Sequence, residues 1–156
     1  MILTTVGTEP YPFNRLMTWL DVLLQRGCIQ EEAVVQYGYC TVRPNHGQCF
    51  AELPEDTLNQ FGVDARLTIA DCNLTALQWC DRTTKPYILV PRAECYNEHI
   101  DNRQIEFGSA LAHAGVPIAW SPGDLVRFIQ SPRRIARSTL MAVANPPLKR
   151  SLKRGT

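Results

Sequence analysis

The sequence predicts an α/β fold, a doubly wound and mainly parallel sheet, and three observations carry that prediction. Short apolar runs rich in β-branched residues recur along the chain, at Ile2–Val6, Ala33–Gly38, Leu67–Ala70, Tyr87–Val90 and Pro117–Trp120. The stretches between most of these runs carry helical signals, so strands and helices alternate. The runs are apolar throughout rather than every second residue, the pattern of strands buried on both faces.

Taken in order, Ile2-Leu3-Thr4-Thr5-Val6 reads as a strand that ends at Gly7. From Phe13 the apolar residues fall at Phe13, Leu16, Met17, Leu20, Leu23 and Leu24, one face of a helix. A strand, a glycine turn and a helix start leave free backbone N–H groups near the carboxyl end of the strand. Ala33–Gly38 is the second strand, 40–47 reads as loop, and 48–51 as a short strand. Leu53-Pro54-Glu55-Asp56 opens a helix, with proline and acids in its first turn. Leu67–Ala70 is a strand, 73–82 a helix, and Tyr87–Val90 a strand stopped by Pro91. Asp101–Ala114 is a helix closed by Gly115, Pro117–Trp120 a last strand, and Ser121 the N-cap of a further helix. A basic helix is predicted from Pro132 to Val143, ended by Pro146-Pro147 and followed by a disordered tail. The chain thus reads as one α/β domain over residues 1–130 with a basic helix and tail over 131–156. Ligands of such sheets bind outside the carboxyl ends of the strands, so the loops after Val6, Gly38, Ala70 and Val90 are the candidates for a site.

With 156 residues, 45% of them apolar and 20% charged, the composition is that of a globular domain with a single core. No apolar run approaches the roughly 18 residues of a membrane span, and no basic, apolar leader opens the chain, so a cytoplasmic location is expected. The cysteines at 28, 40, 49, 72, 80 and 95 form no Cys-x-x-Cys pair and read as reduced thiols, mostly packing, with no metal site. Charge is unevenly spread. All 15 acids lie at or before Asp124, whereas eight of the 16 bases lie beyond it, giving +8 for the end of the chain and 8 − 15 = −7 for the rest. Such an end either meets an anionic membrane surface or acidic partner, or is a solvated helix with a frayed tail. It lacks the interleaved aromatics of a nucleic-acid binder, so no nucleic acid is expected as a partner.

Four segments in order, TVGTEPYPFNRL, VVQYG, KPYILVPR and NEHIDNRQIEFGSALAHAGVP, resemble the C-terminal domain of family 28 glycosyltransferases. The likeness runs from Met1 to about Phe128. It is greatest to the small stand-alone members, the donor halves of two-part transferases of the dolichol and exopolysaccharide pathways. The resemblance implies a GT-B donor domain that binds a UDP-sugar, with the acceptor half on a separate, membrane-anchored subunit. It implies backbone N–H groups at Gly7 and Thr8 facing the diphosphate, His99 near it with Arg103 adding charge, and Gln104 on the donor sugar. Asn73 and Arg92 complete the implied donor face. No metal and no cofactor beyond the UDP-sugar substrate are implied. Glu98, His99, Asp101 and Gln104 match the family's Glu-His-x-Asp-Asp-His-Gln pattern, while Asn102 and Arg103 depart from it.

A larger departure lies in ADCNLTALQWC, where the family carries Ser-His-x-Gly-x-Gly-Thr with a Glu three residues on. Asp71 stands at the His, Asn73 and Thr75 at the two glycines, and Trp79 at the Glu that grips ribose. Asn73 is a residue type that tolerates the left-handed backbone a glycine turn needs. Thr75 would crowd a phosphate, Asp71 would repel one, and Trp79 offers only a donor. Two readings follow: a donor-binding subunit of a two-part UDP-sugar transferase, inactive alone, or a non-catalytic subunit that keeps the fold and has lost donor binding.

Overall fold

The computed structural model describes residues 1–145. Five strands, β1 (Ile2–Thr5), β2 (Ala33–Gln36), β3 (Gln48–Phe50), β4 (Leu67–Asp71) and β5 (Tyr87–Val90), form one all-parallel sheet in the order β3-β2-β1-β4-β5. Six helices flank it: α1 (Asn14–Gln25), α2 (Glu55–Asp64), α3 (Leu74–Arg82), α4 (Arg103–His113), α5 (Pro122–Gln130) and α6 (Arg137–Ala144). The expected doubly wound α/β architecture is the one found. The direction of winding reverses between β1 and β4, which opens a crevice at their carboxyl ends.

Alternation within each strand explains why both faces had to be apolar. Ile2 pairs with Leu67, and Ile69 with Ile88. These residues share a core with Leu16, Met17 and Leu20 of α1 and with Leu125, Phe128 and Ile129 of α5. The intervening residues point the other way. Leu3 and Val34 meet Leu58 and Phe61 of α2. Ala70, Tyr87 and Leu89 meet Leu77 and Cys80 of α3, Leu111 of α4 and Leu140 of α6.

Several expected boundaries move, each for a local reason. The strand expected at 117–120 is one parallel bridge between Ile118 and Leu89. Pro117 brings no N–H to a ladder, and Ser121 already caps α5 by accepting from Asp124 N at 3.2 Å. The basic helix expected from Pro132 starts only at Arg137. Before it the chain runs outside any helix or strand, with Arg134 bound to Lys85 O and Asp81 and Ile135 packed into the core. The first strand does not turn straight into a helix either. Residues 7–13 intervene, and α1 begins at Asn14, where Phe13 N donates to Cys40 Sγ at 3.1 Å. Asn14 in turn accepts from Thr41 N and Val42 N, tying α1 to the loop after β2. Residues 146–156, on which the disordered tail was expected, lie outside the described residues.

Candidate functional site

A cleft of about 860 Å³ opens at the carboxyl ends of β1 and β4, at the point where the winding reverses. Its walls come from the loop after β1, from α3 with its preceding turn, and from the start of α4. Gly7, Thr8, Asn73, His99 and Gln104 all line it; Arg92, alone of the six predicted site residues, does not.

Gly7 leaves β1 with φ +68°, a conformation open to glycine at little cost, and a Cβ added there would meet nothing within 4 Å. The turn is held from behind, where Gln36 Nε2 donates to Gly7 O at 3.1 Å. Gly38 packs so closely that its own Cβ would lie 3.0 Å from Gly7 O. The β1 loop is therefore fixed by the β2 loop, with Thr8 and Glu9 beyond it on the cleft wall.

Asn73 does not take the left-handed backbone expected of it. Its φ is −124° and ψ 167°, and its side chain caps α3 by accepting from Ala76 N at 2.7 Å. A cap needs extended backbone and a short side-chain acceptor, and Asn supplies both. The turn here is an N-cap, not a glycine-type cradle. Leu74 and Thr75, in the first turn of α3 where backbone N–H groups have no partner within the helix, still border the cleft.

Arg92 is the principal correction. Its side chain is 0% exposed. Its Nε donates to Asp71 Oδ2 at 3.0 Å, one terminal nitrogen to Val6 O at 2.6 Å, and the other to Tyr11 O at 2.8 Å and Glu98 O at 3.2 Å. The guanidinium also lies 4.9 Å from the centre of the Phe13 ring. Four of its five N–H donors are thus matched within the protein, and no face is left for a diphosphate. Arg92 ties together the ends of β1, β4 and β5 behind the cleft. Burial pushes the Asp71 carboxyl above its usual range, against the pull of Arg92 and Gln104.

Gln104 lies at the first turn of α4 and lines the cleft, yet most of its amide is occupied. Oε1 accepts from Cys72 N at 3.1 Å and Arg92 N at 3.0 Å, and Nε2 donates to Asp71 Oδ2 at 3.3 Å. Glu98 lies away from the cleft, paired with Arg15 at 2.9 Å and accepting from Ala93 N. His99 faces the cleft with Nδ1 3.1 Å from Asp101 Oδ1. Arg103 reaches the same wall in a two-pronged pair with Asp101. That pair and the Arg103 backbone N–H hold the Asp101 carboxyl at about 2, well below an ordinary 3.8.

Trp79 is an interface aromatic. Its Nε1 donates to Asn59 Oδ1 at 2.8 Å, and its ring lies 2.8 Å from where a Gly62 Cβ would stand, joining α3 to α2. Its neighbours on the same α3 face, Thr75 and Arg82, also border the cleft. Sequence reasoning did not name Arg82, though the spacing 75, 79, 82 is one helical face. Glu55, in the first turn of α2, was likewise read as a helix start and also lines the cleft. Cys72 lines the cleft as an inert thiol, pushed up to about 12 by burial and the Asp71 charge.

No protein-family model matches the chain, and a search of curated proteins finds no significant match.

The described part of the basic end is largely engaged. Arg127 pairs with Asp124 and lies against Phe128, Arg133 lies 5.6 Å from the centre of the Phe128 ring, and Arg134 and Arg137 both reach Asp81. Among the described residues no group of three or more His, Cys, Asp or Glu side chains is gathered to hold a metal, and no helix is long and apolar enough to cross a membrane.

Proposed function

We propose that the cleft binds a UDP-sugar and that the chain is the donor-binding half of a two-part glycosyltransferase. The observation that carries this reading is the convergence, at the winding reversal between β1 and β4, of the Gly7–Thr8 turn, the capped start of α3 and the start of α4. That is where an open parallel sheet offers backbone donors and two helix N-termini to an anion. A volume of about 860 Å³ suits a nucleotide-sized ligand. The likeness to family 28 donor domains points to the same loops.

In this reading the diphosphate lies along Gly7, Thr8 and the Arg103–His99 wall. There the Thr8 and Arg103 donors stabilise the charge that gathers on the departing UDP. The acceptor hydroxyl and the base that takes its proton come from a membrane-anchored partner, so the chain alone does not turn over. A second reading, a non-catalytic subunit of the same fold, is favoured by one observation: the position where the family's Glu grips ribose is Trp79, held to Asn59 and offering no acceptor.

Calorimetric titration of the chain with UDP and UDP-GlcNAc separates the two. A binding free energy of about −4 to −8 kcal/mol, a millimolar to micromolar constant, is expected of a donor half. Absence of binding, alone and with the acceptor subunit present, would favour the non-catalytic subunit.

A further inference from the structure

We infer that the floor of the cleft, at the end of β4, recognises the adjacent hydroxyls of a sugar ring, with Asp71 Oδ1 as the acceptor. The inference rests on the reading of the cleft as a nucleotide-sugar site.

Asp71 is buried at the bottom of the cleft, and its hydrogen bonds are one-sided. Arg92 Nε, Asn73 Nδ2 and Gln104 Nε2 donate to Oδ2, at 3.0, 3.0 and 3.3 Å. Among the described residues nothing donates to Oδ1. That oxygen is not closed off from the cleft. Among the described residues, the buried side-chain oxygens with neither partner nor solvent contact are Thr68 Oγ1 and the Tyr87 hydroxyl; Asp71 Oδ1 is not one of them, and Asp71 lines the cleft. A carboxylate oxygen that borders the cleft with no donor from the protein is free to accept a ligand N–H or O–H.

The neighbours of Oδ1 set the type of ligand. The Asn73 amide has two N–H groups: one goes to Asp71, while its oxygen caps α3. The Gln104 amide likewise sends one N–H to Asp71, and its oxygen takes two backbone donors. Each amide keeps one N–H. Both residues line the cleft, so the inferred floor is one acceptor with a spare amide N–H from each flanking residue. A hydroxyl both donates and accepts, so two adjacent hydroxyls satisfy this set. A phosphate at neutral pH offers acceptors alone and like charge toward Oδ1. Asp71 thus steers the diphosphate to the Gly7–Arg103 side and keeps the floor for a ring. It is a specificity residue that selects a diol, from either the ribose or the transferred sugar.

The test uses the full chain labelled with nitrogen-15 and follows the side-chain amide signals of Asn73 and Gln104. Uridine should move both signals and 2′,3′-dideoxyuridine neither, if the diol is that of ribose. If it is that of the transferred sugar, methyl N-acetylglucosaminide should move them and uridine should not. In the responding arm the deoxy ligand, 2′,3′-dideoxyuridine for ribose or methyl 3,4-dideoxy-N-acetylglucosaminide for the transferred sugar, should bind wild type about tenfold or more weakly than its parent, and Asp71→Asn should erase the difference. Equal affinities of diol and deoxy ligands for wild type overturn the inference, whether or not Asp71→Asn folds. UDP-GlcNAc bound by calorimetry with both amides unmoved overturns the diol site and leaves the donor reading intact. Amides moved by a diol without UDP-GlcNAc binding leave the diol site standing and remove the donor reading. No response to any probe removes both.

Discussion

Two arginine–aspartate pairs belong to the cleft's framework, and they do opposite work. Arg92 and Asp71 are buried, at 0% and 3% side-chain exposure, and the Arg92 guanidinium and Asp71 Oδ2 are held by partners inside the protein. Arg103 and Asp101 are exposed, at 71% and 41%, and meet on the rim. The chemistry is the same, and burial decides the role. A sealed pair is held by three backbone carbonyls, two amides and an aromatic face, so its loss leaves charges stranded. An exposed pair is screened by water and salt and is free to exchange its partner for a ligand. A guanidinium in sequence near a phosphate-type loop therefore says little about contact with a ligand until its surroundings are known.

The largest expected effect comes from breaking the sealed pair. Arg92→Ala strands Asp71 and frees the carbonyls of Val6, Tyr11 and Glu98. It should cost about 3–5 kcal/mol of stability in a denaturant melt. A melt close to wild type would show that the sealed pair is not what holds the loops. Next is Gly108→Ala on α4, whose new Cβ would lie 2.7 Å from Pro91 Cγ, beside Arg92. The proline ring cannot rotate away, and the clash should cost about 1–3 kcal/mol, more than the helix gains from alanine. Asn73→Ala removes the α3 cap and one donor to Asp71, for about 0.5–2 kcal/mol in the same melt.

The smallest effect belongs to the exposed pair. Asp101 is held at about 2 from an ordinary 3.8, chiefly by the Arg103 side chain and then by its backbone N–H. A carboxyl with a lowered folded value contributes stability that is present above 3.8 and is lost as pH falls through about 2. Carbon-13 titration of the carboxyl should find that low midpoint in wild type, and Arg103→Gln should move it up toward 3.8. An unmoved midpoint would mean that the side-chain pair is not its cause.

The layering was legible in the sequence because it depends on apolar runs and helical spacing, which read out directly. The N-cap of α5 was legible for a similar reason, since Ser121-Pro122 is a local signal. The sixth strand failed because Pro117, inside the apolar run, brings no N–H to a ladder and Ser121 already caps α5. Arg92 failed because its role is set by partners far along the chain, Val6, Tyr11 and Asp71, that only the fold assembles. Asn73 was misread through its glycine-like tolerance, when its capping ability was the property in use. Gly7, Thr8, His99 and Gln104 do gather on one cleft, as the order of the motifs along a parallel sheet would require.

The most direct measurement is the affinity for UDP of wild type and of Arg103→Ala, with each protein's melting temperature recorded alongside. A donor cleft with the exposed arginine on its rim predicts measurable binding by wild type, weakened about fivefold or more in Arg103→Ala with its melting temperature unchanged. Equal affinity of the two proteins would contradict the division of labour between the arginines, and no binding by wild type would contradict the UDP-sugar reading itself.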